Sequence, residues 1–452
     1  MKKWATRRKR ENKNPAYGLA PDHIRVPYAQ KDAECTMMLW LLMWGAANKK
    51  QKKIYRNEMK VLRCVLDMEK RGLLIDLDLA GKMLTKAERM RKKYLSKLRK
   101  MTGNKLFNPR SPIQLKEAIY GTGRTKIVRR TKTGKPSTDR LTLIQVVHPL
   151  APVILIYRQW EKLSGTYLKP LIERQNRGII HPSFNQAGTK TGRFSSSNPN
   201  FQNLPRPGNS PLGRIKDLII ARPLTRLILI DYKQLEIRIC AHYSQEPHLL
   251  EAIHNGEDIH GVTCKVTFDK KETDSDWGEY RYFAKTLNFL LQYGGGAGKL
   301  VDTVMEQTGK KLTLYKASKL IQAYQERNPK VMGLFDMVAN EVIKTGGVEN
   351  IFGRFVDVPL STTYVGVNYK IQGTAADLIK FKMPLVRKKL AGSKSYMLLQ
   401  VHDELGFEIH KDDKDLIPTL KEAMEELNAF SVPITCDVKI GKRWGRKKAL
   451  EL

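Results

Sequence analysis

Apolar positions recur at three- and four-residue spacing over most of this chain, and a few short apolar runs interrupt them. From Lys31 to Met90 the pattern is that of amphipathic helix, broken near Asn48 to Lys53 and again at Gly72, after which "LLIDLDLAGKML" restarts it. The stretch "CTMMLWLLMWGAA" (35–47) is apolar on every side; it is too short to span a bilayer, so it is read as a core helix. Residues 139–177 and 245–350 are helical in period, and 350–452 mix strands with helices. "LILID" (227–231) is a short strand that ends in an acid and is followed by a helix-forming "QLEIRICAHYS". In "YMLLQVHDELGFEIH" (396–410) two apolar runs flank His402, Asp403 and Glu404, which predicts a tight hairpin turn at "HDE".

Two stretches lie outside these periods. "GTGRTKIVRRTKTGKPS" (121–137) reads as a mobile cationic connection suited to phosphates. "SFNQAGTKTGRFSSSNPNFQNLPRPGNSPLG" has the composition of a linker, but Phe184, Phe194 and Phe201 predict an ordered loop. Length changes the picture next, because 452 residues exceed one ordinary core and imply two to four subdomains.

Charge narrows the partner class. Lys and Arg total 81 against 45 Asp and Glu, a net +36, and such self-repulsion points to a polyanion, nucleic acid first. The five cysteines, Cys35, Cys64, Cys240, Cys264 and Cys436, have neither zinc-site nor disulfide-framework spacing, so they are expected to be reduced and mostly buried in a cytosolic-type compartment. The basic N-terminus lacks the apolar region and cleavage site of a signal peptide.

Candidate chemistry starts with Asp231 and Asp403, because buried carboxylates are rare unless paired or metal-bound. If they meet, they offer a platform for two magnesium ions of the kind that serves phosphoryl transfer. Arg281, Lys285, Phe289 and Tyr293 recur every four residues, so two cations and two aromatics share a helix face suited to a triphosphate and a base.

Five motifs in order, "TKTGRFSSSNPNFQNLP", "LILIDYKQLEIRICAHYS", "RYFAKTLNFLLQYG", "NYKIQGTAADLIK" and "LLQVHDELGFEI", resemble signatures of the family A DNA polymerases, the bacterial DNA polymerase I type. "FNPRSPIQLKEAI" and "CDVKIGKRWG" extend the likeness over about residues 55–452. The resemblance implies an α+β right hand with an antiparallel palm sheet, helical fingers and a helical thumb. Its segments are 55–90, 168–240 and 351–452 for the palm, 91–167 for the thumb and 241–350 for the fingers, behind a short helical exonuclease remnant at 1–54. It further implies primer–template DNA and deoxynucleoside triphosphates as partners and two Mg2+ ions, with Mn2+ as a substitute.

Residue by residue, the resemblance assigns the metals to Asp231, Asp403 and the Tyr232 carbonyl, with Glu404 in support. Arg281 and Lys285 grip the triphosphate, helped by His260 and Gln234; Phe289 and Tyr293 shape the sugar and base pocket, and Glu236 is the steric gate against a ribose. Arg193, Asn368, Gln372 and His402 read the minor groove.

Lys233, Leu290 and Tyr364 depart from the family pattern, and Phe289 implies poor dideoxynucleotide incorporation. "VPYAQKDAECTMMLW" resembles the last motif of the 3′ to 5′ exonuclease, with Tyr28 and Asp32 at the matching spacing. The earlier carboxylates of that motif set are not in the chain, so no intrinsic proofreading is expected; the exonuclease is lost, or a separate polypeptide supplies the other half. A processivity factor is a further expected partner, and the location is cytoplasmic, in a nucleoid or an infected host. Two competing readings are a single-subunit RNA polymerase, which would lack Glu236 and Glu404, and a silent DNA-binding protein, against which the intact Asp231, Asp403, Arg281 and Lys285 stand.

Overall fold

The computed structural model describes residues 19–205, 208, 210–290, 294–427 and 429–451. They fall into two compact units, divided between Arg56 and Asn57.

In the first unit, helix α1 (Asp22–Ala46) carries the apolar stretch, but none of its residues is buried, and Leu42 and Met43 are each 71% exposed. The expectation of a core helix is therefore corrected. The stretch is apolar on all sides, and apolarity by itself does not supply the neighbouring atoms that burial needs. The unit's aromatic rings meet one another: Trp40 stacks on Trp44 at 5.6 Å, and Tyr55 meets Trp44 edge-on at 5.5 Å.

Helix α2 (Lys49–Arg71) runs into the second unit, where Val61, Cys64, Val65 and Met68 form its buried stripe. Gly72 ends it at φ 62°; a Cβ there would meet Ile179 and the Ile180 carbonyl at 2.7 Å, so only glycine fits. The helix does not restart at once. Leu73–Ile75 form strand β1, because Leu73 pairs with Ile180 and Ile75 with Ile219 on neighbouring strands. Asp76 then caps α3 (Leu77–Thr102), accepting from the Leu79 N–H at 2.9 Å.

Helices α4 (Pro112–Tyr120), α5 (Arg140–Gln145) and α6 (Leu150–Lys162) pack with α3 on a core that includes Leu98, Phe107, Leu115, Leu143 and Ile154. A π-helical turn, Leu163–Leu168, links α6 to α7 (Lys169–Arg174). The described part of the Phe-containing stretch is ordered, as expected. Strands β3 (Ser183–Asn185) and β4 (Ser195–Ser197) pair within it, and Phe184, Phe194 and Phe201 are buried.

The main sheet is antiparallel and runs β2 (Ile179–Ile180), β1, β5 (Ile219–Ile220), β11 (Cys436–Arg443), β6 (Thr225–Tyr232), β10 (Glu404–His410), β9 (Tyr396–Val401), with β12 (Arg446–Ala449) beside β11. Central β6 buries Leu227–Ile230 without alternation, because both of its faces are covered.

Helices α8 (Leu235–Ser244), α9 (Pro247–His254), α10 (Ile259–Phe268), α11 (Trp277–Leu290), α12 (Ala297–Thr308), α13 (Leu314–Arg327) and α14 (Pro329–Thr345) form the expected helical block. The pair β7 (Gly347–Glu349) and β8 (Phe355–Asp357) closes it. Helices α15 (Val365–Lys389) and α16 (Leu416–Glu425) follow; Tyr232 donates its hydroxyl proton to the Met424 carbonyl of α16 at 2.8 Å. The cationic connection makes a turn in which Thr131 N–H meets the Lys135 carbonyl at 2.8 Å. Beside it, Arg129 pairs with Asp302 at 3.0 Å and Arg140 with Glu306 at 2.5 Å, both acids of α12.

Candidate active site

Asp231 comes next to last in β6, and Asp403 occupies the two-residue turn between β9 and β10. Adjacent strands bring them together: the Tyr232 N–H donates to the Asp403 carbonyl at 3.1 Å. His402 takes φ 53° to make the turn. Two glutamines clamp that turn. Gln202 donates to the Gln400 carbonyl at 2.7 Å and accepts from the His402 N–H at 3.2 Å, and Gln400 donates to the His402 carbonyl. Sequence reasoning singled out neither glutamine, because their contact joins a loop to a strand 198 residues away.

The electrostatics of the two acids differ from those of exposed carboxylates. Burial, then the nearby Glu236, push the Asp403 carboxyl up to about 7, with Asp231 adding and Arg193 opposing. Its Oδ1 is sealed from solvent and has no hydrogen-bond partner. Burial and Glu404 also raise Asp231, while Lys439 and Lys447 pull it back. An orphaned carboxylate oxygen beside a second carboxylate is the hard-oxygen environment that fits a magnesium or manganese ion. Among the described residues no three His, Cys, Asp or Glu side chains are grouped so as to hold one metal ion; the site offers two carboxylates and a main-chain carbonyl. Magnesium, which keeps several waters and shares substrate phosphates, is suited by so few protein ligands.

Glu404 lies directly opposite Asp231 in the β10–β6 register, but its carboxylate is already engaged. Trp444 donates its indole N–H to one oxygen at 3.2 Å and Lys447 donates to the other at 2.8 Å.

The turn opens into a cleft of about 900 Å3 whose walls include Gln234, Glu236, Lys285, Phe289, His402 and Asp403. Gln234 sits at φ 47° just before α8. Lys285 and Phe289 project from α11, one turn apart, and Lys285 has no carboxylate partner among the described residues. Arg281, on the same face, is held by Asp258 through two hydrogen bonds of 2.5 and 3.0 Å. Buried His260 is 5.8 Å from the Phe289 ring and faces Asn288 at 3.2 Å; burial, then Lys285 and Arg281, lower its pKa to about 4, so it is neutral near pH 7. Tyr293 lies outside the described residues.

Arg193 and Glu236, predicted to act on different parts of the substrate, form an ion pair here. Arg193 is carried by the Thr189–Phe194 loop, where Gly192 takes φ 77°; a Cβ on it would meet Arg354 Nε at 2.7 Å. Arg354 is fixed by buried Asp377, at 2.7 to 3.0 Å, and by Glu58, which also receives Lys380 at 2.6 Å. That buttress was not foreseen, since its members come from four distant stretches. Asn368 and Gln372 stand one turn apart on α15, both partly buried.

The departures also find places. Lys233 pairs with Asp437 at 3.0 Å, Leu290 crowds Gly295, where a Cβ would come within 2.4 Å of it, and the Tyr364 ring crowds Gly294 equally closely. Gly294 and Gly295 of the "GGG" run are thus crowded by their neighbours, whereas a Cβ on Gly296 would meet nothing within 4 Å. Tyr28 and Asp32 lie on exposed α1. Of the cysteines, all free, Cys35 is exposed and the other four are buried.

The family model described as DNA polymerase family A matches residues 78–446. The thermostable DNA polymerase I of Thermus aquaticus is 32% identical over 436 residues, covering 92% of this chain and 51% of the relative. DNA polymerase I of Helicobacter pylori strain 26695 is 35% identical over 364 residues, 76% of this chain and 38% of the relative. The chain thus spans about half the length, or less, of the curated relatives it matches. Among solved structures, the POL domain of Pol1 from M. smegmatis, in complex with DNA primer-template and dNTP, superposes with a TM-score of 0.78 at 29% identity, over 86% of this chain and 70% of that one.

Proposed function

We propose that this chain, which belongs to DNA polymerase family A and has its right-hand fold, extends the 3′ end of a DNA primer on a template with deoxynucleoside triphosphates. The observation that carries the reading is that Asp231 lies near Asp403, whose Oδ1 has no hydrogen-bond partner and which lines a cleft together with Lys285 and Phe289. In the palm, thumb and fingers, we keep the sequence boundaries given above.

The primer 3′ oxygen attacks the α-phosphorus and pyrophosphate leaves, so the protein's task is positioning and charge neutralisation. Asp231, Asp403 and the Tyr232 carbonyl would hold two Mg2+ ions; when bound, these supply acidity to the attacking hydroxyl and neutralise the phosphates. Lys285 and, once released from Asp258, Arg281 bind the triphosphate. Neutral His260 supports Phe289 from behind, and Phe289 presents its ring to the nucleotide. Glu236 stands at the sugar edge of the cleft, kept in place by Arg193, and His402 lies beside the primer terminus. The high positive charge makes duplex binding strongly salt-dependent.

The test is extension of a labelled primer with Mg2+ and four deoxynucleotides, by the parent and by Asp403→Ala. Extension by the parent alone supports the reading; extension by neither, or by both, overturns it. Omitting nucleotides tests the proposal that the chain does not proofread, since a shortening primer contradicts it. Ribonucleotides in place of deoxynucleotides test the sugar gate.

A further inference from the structure

Three carboxylates lie side by side across the centre of the main sheet. Asp231 on β6 is in register with Glu404 on β10 and with Asp437 on β11, so the three side chains share one face. Like charges directly opposite on neighbouring strands repel, and the row needs compensation before any metal arrives. Each acid has its own lysine: Lys447 lies 2.8 Å from Glu404, Lys439 3.5 Å from Asp231 and Lys233 3.0 Å from Asp437.

The three pairs are not equivalent. The Glu404 pair is largely buried and is reinforced by the Trp444 indole. The Asp437 pair is about half exposed and lies away from the turn that carries Asp403. Only the Asp231 pair engages a carboxylate assigned to the metals, and its separation is the longest of the three. Lys439 is two residues from Asp437 on the same strand face and reaches Asp231 diagonally. Its flexible stem can withdraw.

We propose that Lys439 is a resident counter-cation of Asp231, which a divalent ion has to displace, so that the free protein binds the ion weakly and loads it with the incoming triphosphate. The inference rests on the reading of Asp231 as a metal ligand. Lys439 acts through Asp231 and is a positioning residue. An ammonium group at this distance competes with a divalent ion for the same oxygen, and it repels any ion bound beside it.

The test is titration of Mn2+ into the metal-free full chain, without DNA or nucleotide, following free Mn2+ by electron paramagnetic resonance. Lys439→Ala is expected to bind Mn2+ about 3- to 10-fold more tightly than the parent, the range set by a partly exposed ion pair plus the removed repulsion. Lys439→Arg should behave as the parent, and Lys233→Ala should change affinity less than about twofold. Matching thermal melting curves establish that the variants are folded. If Asp231→Asn weakens Mn2+ binding while Lys439→Ala leaves it unchanged, the counter-cation role is wrong. If Asp231→Asn has no effect either, the metal reading of Asp231 fails, and this inference with it.

Discussion

Asp403→Asn is expected to stabilise the metal-free protein at pH 8 while abolishing extension. The Asp403 carboxyl titrates near 7 in the folded chain against an ordinary 3.8, so the folded state holds its proton about a thousandfold more tightly than the unfolded state. The sign follows from linkage: the folded chain binds more protons between those values, so stability falls as pH rises from about 4 to about 7, and the penalty is complete above that. Three decades of proton affinity correspond to about 4 kcal/mol, and the partial exposure of the residue reduces this to about 2–4 kcal/mol. Asparagine carries no charge and removes the penalty. The assay is urea or thermal unfolding of both proteins in EDTA at pH 8 and pH 5.5. The variant should be the more stable at pH 8, with the gap reduced by about half at pH 5.5, where the carboxylate is largely protonated. Adding Mg2+ should stabilise the parent more than the variant. Equal or lower stability of the variant at pH 8, or a gap that ignores pH, would refute the argument.

Asp258→Asn frees Arg281 from an exposed bidentate pair and should lower the nucleotide KM about 2- to 5-fold in single-nucleotide incorporation, with kcat little changed; a higher KM would mean that Asp258 orients Arg281 productively. Arg354→Met leaves buried Asp377 without its cationic partner, with only the Asn350 amide donating to it at 2.7 Å, and should cost about 3–5 kcal/mol in urea unfolding; a loss below about 1 kcal/mol would show that Asn350, Glu58 and Lys380 carry that cluster without it. Gly294→Ala meets both a φ of 65° and the Tyr364 ring, and should lower the melting temperature by several degrees; Gly294→Ala with Tyr364→Ala should recover only part of this, because the backbone strain remains. Efficient chain termination by dideoxynucleotides at equal concentration would contradict the role given to Phe289.

The local pattern alone determined the elements that matter most. Acid-terminated apolar runs had to be strands, the "HDE" interruption had to be a turn, and residues spaced by four had to share a helix face, because each follows from backbone geometry within a few residues. The net charge pointed to a polyanionic partner, and the five ordered motifs pointed to the family that the family model then matched. What the sequence could not show is which charged groups neutralise one another. Arg193 meets Glu236, Arg281 meets Asp258, and Asp231, Glu404 and Asp437 line up with Lys439, Lys447 and Lys233. The first two pairings depend on how loops and helices pack, over 43 and 23 residues, and the carboxylate row depends on strand order and register; no local periodicity encodes either. Tertiary structure also overruled two local readings. Leu73–Ile75 are a strand because two partner strands flank them, and α1 is exposed because apolarity states a preference for burial and cannot supply the atoms that would provide it.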